Sequence, residues 1–536
     1  MRNDLREIVK NLNYESVISI VGTVCERPRG QKNLSMETGD IEVQIESLEV
    51  LNSAKSNLPL FIREFNKAKE STQMKHRYLS LRYPELQRNL RLRSQVIARM
   101  REYLIKECDF VDIETPTLFK NTPGGAQEFV VPTRHPGQFY SLVQSPQQFK
   151  QLLMVGGFDR YFQVARCYRD ETARHDRQPE FTQLDIEMSF IDCDGIMELI
   201  ENLLVYSWPE ESEAITSPFK RVTYNEAMDL YGTDQPDLRI PHQLRRLTGI
   251  TSHSALEENL NVKCDEKFEI YGLVFPNKHK FFTKSAKESI STLRRDYFPS
   301  VKLIQLKVPS KSSNTEGNKI YSNIVKGNVE QELNLEEGDV LFLACGERLP
   351  TQSLLGRVRV EFTNLLEGKG QKIRTTGNEM LWITDFPLFS LNAAENKLET
   401  MHHPFTQPHP DDLPHLLENP TKVRGLHYDL VMNGSEIGGG SIRVHKAKLQ
   451  KQILEMLSID KSYLTHMLDA LECGAPPHGG IALGLDRLIC LLCKAESIKS
   501  VIAFPKTMEG RDLMSGAPVS ISDEEKALYH IQTTEE

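Results

Sequence analysis

The sequence predicts an α/β multidomain protein, and three observations lead there. The chain has 536 residues, more than one hydrophobic core organises. Strictly alternating runs recur along it. The clearest is 183–190, where Leu184, Ile186, Met188 and Phe190 share one face and Gln183, Asp185, Glu187 and Ser189 the other, as in a half-buried strand. Helical stripes are interleaved with these runs: Leu90, Ile97, Met100 and Leu104 recur at helical spacing behind Pro84, which stands at a helix-start position.

Composition narrows the function classes. Hydrophobic content of 39% and charged content of 26% are those of a globular protein, and no apolar run approaches the length of a membrane span. A net charge of −9 argues against nucleic-acid binding by bulk charge, though not against a local basic surface. Nine cysteines without a framework suit a reducing compartment, and Cys490 and Cys493, inside the apolar run LICLLCK, read as core. There is neither a GxxxxGK[ST] nor a GxGxxG between strand and helix, so a nucleotide here would use neither a P-loop nor a Rossmann turn.

In chain order, residues 1–56 hold a short helix and strand-like runs at 17–24, 41–45 and 48–51, split by a Gly/Pro/Lys-rich loop. Residues 57–73 are a polar linker. The helix from Pro84 carries Arg88, Arg91, Arg93, Arg99, Arg101 and Lys106 on its other faces, either a solvated surface or an RNA contact. The Gly-rich loop 122–128 cannot be held rigid by its own sequence. Between the strands of 160–190 lies a loop dense in both signs: Arg169, Asp170, Glu171, Arg174, His175, Asp176, Arg177 and Gln178. It is either a salt-bridged surface hairpin or a clamp for a ligand bearing phosphate and ammonium. From 246 to 372 strand- and helix-like runs alternate with polar loops and no dense catalytic cluster is present. Further on, the paired His402 and His403 have no partner at metal-ligand spacing. Asp429 and Glu436 flank Gly438–Gly440; they are a Gly-rich turn beside a surface strand, or two oxygen ligands for one hard cation. Arg487 stands in the first turn of an apolar helix, where anions are normally preferred, which suggests that a ligand phosphate joins it.

These residues resemble the class II aminoacyl-tRNA synthetases. Tyr168-Arg169-Asp170-Glu171 with Arg177-Gln178-Pro179-Glu180-Phe181 is similar to their motif 2, Phe110–Pro116 to motif 1, and Gly474–Leu488 to motif 3. The wording RDE…DRQPEFTQ, the QSPQQFK at 144–150 and the run YDLVMNGSEIGGGSIR resemble the aspartyl branch in its bacterial and mitochondrial form. The resemblance covers nearly the whole chain. It implies an antiparallel catalytic sheet flanked by helices (74–245 and 373–536), an inserted α+β domain (246–372) and a partial N-terminal OB-fold β-barrel (1–56) whose first half precedes the chain or is lost. It implies an aspartate–tRNA ligase that uses ATP with Mg2+, acts as a homodimer on tRNA(Asp), and has no membrane or DNA partner. It implies the mitochondrial matrix, with a bacterial cytoplasm as the alternative.

The resemblance also assigns residues. Arg169 and Arg487 are expected to be catalytic. ATP is expected at Arg169, Asp170, Glu171, Gln178, Phe181, Glu436, Gly484, Leu485, Asp486 and Arg487. Aspartate is expected at Gly125, Ser145, Gln147, Gln148, Phe149, Lys150, Arg169, Asp185, His402, His403 and Arg443, with Lys150 and Arg443 converging on its side-chain carboxylate. Asp429 and Glu436 are expected to hold the metal. Many bacterial members carry a Glu where Gly124 stands, so that contact is open here, with Glu128 as one candidate substitute. The alternatives are an asparaginyl- or lysyl-type enzyme of the same subclass and a non-catalytic tRNA-binding relative.

Overall fold

The computed structural model describes residues 3–534 except 35, 37, 63–66, 123–124, 173, 175, 252, 261–262, 264–266, 310–320 and 393–394. It divides into two compact units. The first comprises residues 1–88 with 504–507 and 511–519. Its strands β1 (Val17–Glu26) and β2 (Ile41–Asn52) form an antiparallel hairpin, and among the described residues they pair only with each other. The runs expected at 41–45 and 48–51 are thus one strand. No closed barrel is present among the described residues, because two strands cannot close one. The register shifts between Val21 and Gly22, and a Cβ on Gly22 would lie 2.2 Å from the Gln44 carbonyl oxygen, so the strands approach closely only because the residue is glycine. Leu60, Leu79, Tyr83 and Leu86 form a small core in this unit.

The second unit is built on an eight-stranded sheet. The helix predicted from Pro84 is α1 (Pro84–Glu102), of which this unit holds the part from Asn89 on, continued by a wider turn through Glu107. The sheet's strands are β3 (Val111–Asp112), β4 (Arg160–Tyr168), β5 (Glu180–Ser189), β6 (Lys220–Thr223), and, after the insertion, the four described below. Helices α2 (Gln147–Val155) and α3 (Cys193–Ser207) come from the same stretch.

The 246–372 stretch carries its own sheet. Strands β7 (Leu244–Arg246), β8 (Phe268–Phe275), β9 (Lys302–Lys307) and β10 (Val340–Glu347) pair antiparallel in the order β7-β8-β10-β9, with helices α4 (Lys284–Tyr297) and α5 (Arg348–Glu367). Phe275, Phe342 and Phe362 meet edge to face in its core, with ring centroids 4.8–6.0 Å apart. On α5, Arg359 is fully buried and donates to the carbonyl oxygens of His242 (2.6 Å), Asp237 (2.9 Å) and Ile240 (2.7 Å). The inserted helix thereby holds the 237–242 segment that leads into it.

The chain then returns to the main sheet with β11 (Met380–Thr384), β12 (His427–Met432), β13 (Ser435–Ile442), β14 (His478–Gly484) and helix α6 (Leu485–Leu492). The sheet order is β3-β4-β5-β14-β13-β12-β11-β6. Its interior is antiparallel, as expected, while the edge strands β3 and β6 pair parallel with β4 and β11. Leu184, Ile186, Ile481, Leu483 and Trp382 share a buried core with Val96 and Met100 of α1, Ile196, Ile200 and Leu203 of α3, and Leu488 and Ile489 of α6. The period-2 pattern that buries Leu184 and Ile186 necessarily turns Asp185 and Glu187 to the opposite face, where the polar chemistry collects.

Candidate active site

Two strands of the sheet and one helix supply the buried charges. β5 offers Asp185 and Glu187, β13 leads to Arg443, and α2, packed on the same face, offers Lys150; all four are at most 1% exposed. Lys150 Nζ lies 3.1 Å from Asp185 Oδ1 and 3.2 Å from Glu187 Oε2. Arg443 forks onto Glu187, Nε to Oε1 at 2.9 Å and Nη2 to Oε2 at 3.2 Å. The remaining donors of Arg443 reach Gly480 O and Ser441 Oγ, and its Nη1 faces His403 Nε2. Opposite Glu187 in the ladder stands Gly480, where a Cβ would lie 2.0 Å from Glu187 Oε2; only glycine leaves room for that carboxylate.

The two carboxylates are in different states. Burial pushes Glu187 up, but Arg443 and Lys150 outweigh it and hold its carboxyl below the ordinary value. Burial raises Asp185, and Lys150 only partly offsets it. Asp185 Oδ2 is buried with no hydrogen-bond partner, and so is Arg169 Nε. Both residues line one cavity of about 750 Å³, and buried orphans of opposite character in one cavity call for a ligand that carries both a donor and an acceptor.

Every residue expected at aspartate lines that cavity: Gly125, Ser145, Gln147, Gln148, Phe149, Lys150, Arg169, Asp185, His402, His403 and Arg443. A second cavity of about 170 Å³ shares Arg169, Glu171 and Glu436 with the first. It gathers most of the residues expected at ATP: Arg169, Glu171, Gln178, Phe181, Glu436, Gly484, Asp486 and Arg487. The Arg169 guanidinium sits 5.0 Å from the Phe181 ring centroid, and Arg487 Nη1 donates to Glu436 O while Nη2 meets Asp176 at 3.3 Å.

Three expected residues stand differently. Leu485 is fully buried in the main core, because the first turn of α6 points its apolar side into the sheet, so its side chain is out of a nucleotide's reach. Asp486 lines the smaller cavity, but its carboxylate is already committed: it binds Arg93 of α1 and accepts the Thr182 N–H at 2.9 Å. Asp170 lines neither cavity; its N–H donates to Gln127 O at 2.8 Å. Gly124 and His175 lie outside the described residues. Glu128 is buried and braces the loop, accepting from Thr122 N (3.3 Å) and Gln144 Nε2 (3.1 Å).

Asp429 and Glu436 approach one another around Gly439, where a Cβ would lie 2.4 Å from Asp429 Oδ1 and 3.6 Å from Glu436 Oε1. Burial, then the neighbouring Asp234, pushes Asp429 up to about 8; burial, then Asp429, pushes Glu436 up to about 7. Two buried carboxylates brought together around a glycine suit a hard divalent cation with oxygen ligands. His427 was not anticipated. It stacks on Phe386 (4.2 Å between centroids) and its Nε2 is 2.9 Å from Asp429 Oδ1. Its only sequence signal is the i, i+2 spacing to Asp429, which places both on one strand face.

A family profile described as tRNA synthetases class II (D, K and N) matches residues 69–508. The chain is 48% identical over 523 residues to the mitochondrial aspartate–tRNA ligase of Rattus norvegicus, covering 97% of this chain and 80% of that protein. It is 48% identical over 538 residues to the mitochondrial aspartate–tRNA ligase of Homo sapiens (99% and 82%). It is 41% identical to the aspartate–tRNA(Asp/Asn) ligase of Opitutus terrae (99% and 90%). The fold is shared with asparaginyl-tRNA synthetase from Pyrococcus horikoshii complexed with asparaginyl-adenylate, at a TM-score of 0.55 and 16% identity over 94% of this chain and 86% of that one. The chain belongs to the class II tRNA synthetases of the D, K and N group.

Proposed function

We propose that this chain is an aspartate–tRNA ligase, which activates L-aspartate with ATP and transfers the aspartyl group to the 3′ end of tRNA(Asp). The observation that carries the reading is the pair of buried orphans, Asp185 Oδ2 and Arg169 Nε, beside the Lys150–Glu187–Arg443 cluster. An α-amino acid supplies a donor for the first through its ammonium and an acceptor for the second through its α-carboxylate. Once the ammonium neutralises Asp185, Lys150 and Arg443 face Glu187 alone, which leaves one positive charge. Aspartate's side-chain carboxylate cancels that charge. Asparagine leaves it uncompensated, and lysine adds to it. Of the two cations, Lys150 keeps an N–H for the substrate, since two of its three meet Asp185 and Glu187. Arg443 has its donors occupied and contributes charge.

In the reaction, an α-carboxylate oxygen attacks the α-phosphorus of ATP, the bond to the β-phosphate oxygen breaks, and pyrophosphate leaves. The 3′-terminal hydroxyl of tRNA then attacks the acyl carbon and AMP leaves. Arg169 would span the carboxylate and the α-phosphate with its planar fork, holding both reactants in line. Phe181 would stack on adenine, Glu171 and Gln178 would contact the nucleotide, and Arg487 would exchange Asp176 for the terminal phosphates. Gln147 would join Asp185 at the ammonium, and His402 and His403 would close the aspartate side. Asp429 and Glu436 would hold Mg2+, which when bound neutralises phosphate charge. Residues 1–56 would be part of an anticodon-reading OB module joined by the linker 57–73, the chain would act as a homodimer, and its compartment would be the mitochondrial matrix. Retention of Arg169, Glu436 and Arg487 speaks against a non-catalytic relative.

ATP–pyrophosphate exchange with aspartate, asparagine and lysine in parallel tests this. Exchange with aspartate alone is expected; exchange with asparagine or lysine, or none in a folded protein, would overturn it.

A further inference from the structure

The sequence offers His402 and His403 no metal-binding partner nearby, but the fold brings one. His427 and Asp429, two apart on β12, present their side chains on one face, and His402 comes up against them from its loop. One ligand atom from each of His402, His427 and Asp429 lies within 4.8 Å of the other two. The His402 and His427 ring centroids are 4.1 Å apart. The His427 ring is held in place by Phe386, stacked at an interplanar angle of 27°. Its Nδ1 is buried without a hydrogen-bond partner. His402 opens onto the larger cavity, so an ion has a way in.

We propose that His402, His427 and Asp429 form a binding site for a nitrogen-seeking divalent cation, Zn2+ foremost, which blocks aspartate activation when occupied. The donor set argues for this class of ion. Mg2+ takes oxygen ligands, whereas imidazole suits Zn2+, Cu2+ and Ni2+. Two imidazoles and one carboxylate make a three-ligand tetrahedral zinc site whose fourth position is open. Tetrahedral zinc with bonds of roughly 2.0–2.1 Å needs ligand atoms about 3.3 Å apart. The 2.9 Å between His427 Nε2 and Asp429 Oδ1 and the 4.8 Å limit of the cluster bracket that spacing. Occupation would draw His402 away from the aspartate cavity and take an oxygen of Asp429 from the Asp429–Glu436 pair. That consequence rests on the aspartate reading; binding of the ion does not.

The test uses the full chain stripped of metal by a chelator. Co2+ serves as an optical probe, since tetrahedral coordination gives visible absorption, and Zn2+ is titrated against it. His427→Gln keeps an amide to donate to Asp429 but loses the imidazole. One equivalent of Co2+ is expected, displaced by Zn2+ and weakened by more than roughly tenfold in His427→Gln. Pyrophosphate exchange should fall with Zn2+ in the unaltered chain at concentrations that leave His427→Gln at its own zinc-free rate. His402→Asn, read by Co2+ absorption alone, should weaken binding too, and serves if His427→Gln fails to fold. No saturable binding, or equal binding and inhibition in variant and parent, would overturn the site. Binding lost in the variants while neither folded protein exchanges pyrophosphate would support the cation site and count against the ligase reading.

Discussion

The charge count in the aspartate cavity can be tested by removing charges in two steps. Lys150→Met takes away a cation 3.1–3.2 Å from two carboxylates, all of them at most 1% exposed. Breaking a buried pair in this way costs about 3–5 kcal/mol of stability. It also leaves Arg443 balanced by Glu187, so with the ammonium on Asp185 the site is neutral before the side-chain carboxylate arrives. At about 4 Å and an effective dielectric constant near 20, one unit of charge mismatch is about 4 kcal/mol, or a roughly 10³-fold change in discrimination. Lys150→Met is therefore expected to lose preference for aspartate over asparagine by about that factor. Lys150→Met combined with Glu187→Gln restores one positive charge on Arg443 for the substrate and returns the empty site, with Asp185 and Arg443 left, to zero net charge. The double variant should recover a large part of both the melting temperature and the discrimination. The assay is kcat/KM for pyrophosphate exchange with each amino acid, with unfolding followed by circular dichroism. A folded double variant that discriminates no better than the single one would refute the charge argument.

Three further outcomes are expected. Arg169→Gln, which removes the orphaned Nε donor and the charge beside Phe181, should lower exchange by about 10²–10³-fold with the melting temperature nearly unchanged; exchange within a few-fold of the parent would contradict its placement. Burial, with Arg359 and Lys278 nearby, pushes His242 down to about 4. The unfolded chain takes up that proton near pH 6.5 and the folded one near 4, so its contribution is present above pH 6.5 and is lost as pH falls toward 4. It amounts to about 2 kcal/mol between pH 7 and 5, and His242→Phe should flatten the unfolding free energy over that interval. Arg359→Met strands three carbonyl oxygens, at about 1–3 kcal/mol each, and should speed amide hydrogen exchange across 237–243; unchanged protection there would show that the guanidinium is not what holds the segment.

Local periodicity made some of this legible. The alternation of 183–189 put Asp185 and Glu187 on one polar face, and the Pro84 stripe marked α1, because both signals depend only on neighbours a few residues apart; Phe190, expected on the core face, lies past the end of β5 at φ 56° and is 74% exposed. Glu187's double duty was not legible: Lys150 and Arg443 come to it from 37 residues before and 256 residues after. Leu485 shows the opposite failure. A motif marks a stretch of chain, but the turn of the helix decides which of its side chains meets a ligand and which enters the core. Asp486 looked like a nucleotide contact until its partner Arg93, 393 residues distant, accounted for its carboxylate. His402 lacked partners within reach along the chain and found them only through the ladder of β12.

The parallel pairing of β6 with β11 has a consequence for the order of assembly. Val222 lies opposite Ile383, with the whole inserted unit strung between them. Joining the ends of a flexible loop of roughly 150 residues costs about 4–5 kcal/mol in chain entropy. If the insertion folds first, its own antiparallel sheet and the Arg359 clasp draw the two ends together, and the edge of the catalytic sheet closes as if across a short connection. The insertion then acts as a template for the sheet that it interrupts. Weakening its phenylalanine core would slow formation of the catalytic sheet, even though no residue of that core touches the aspartate cavity.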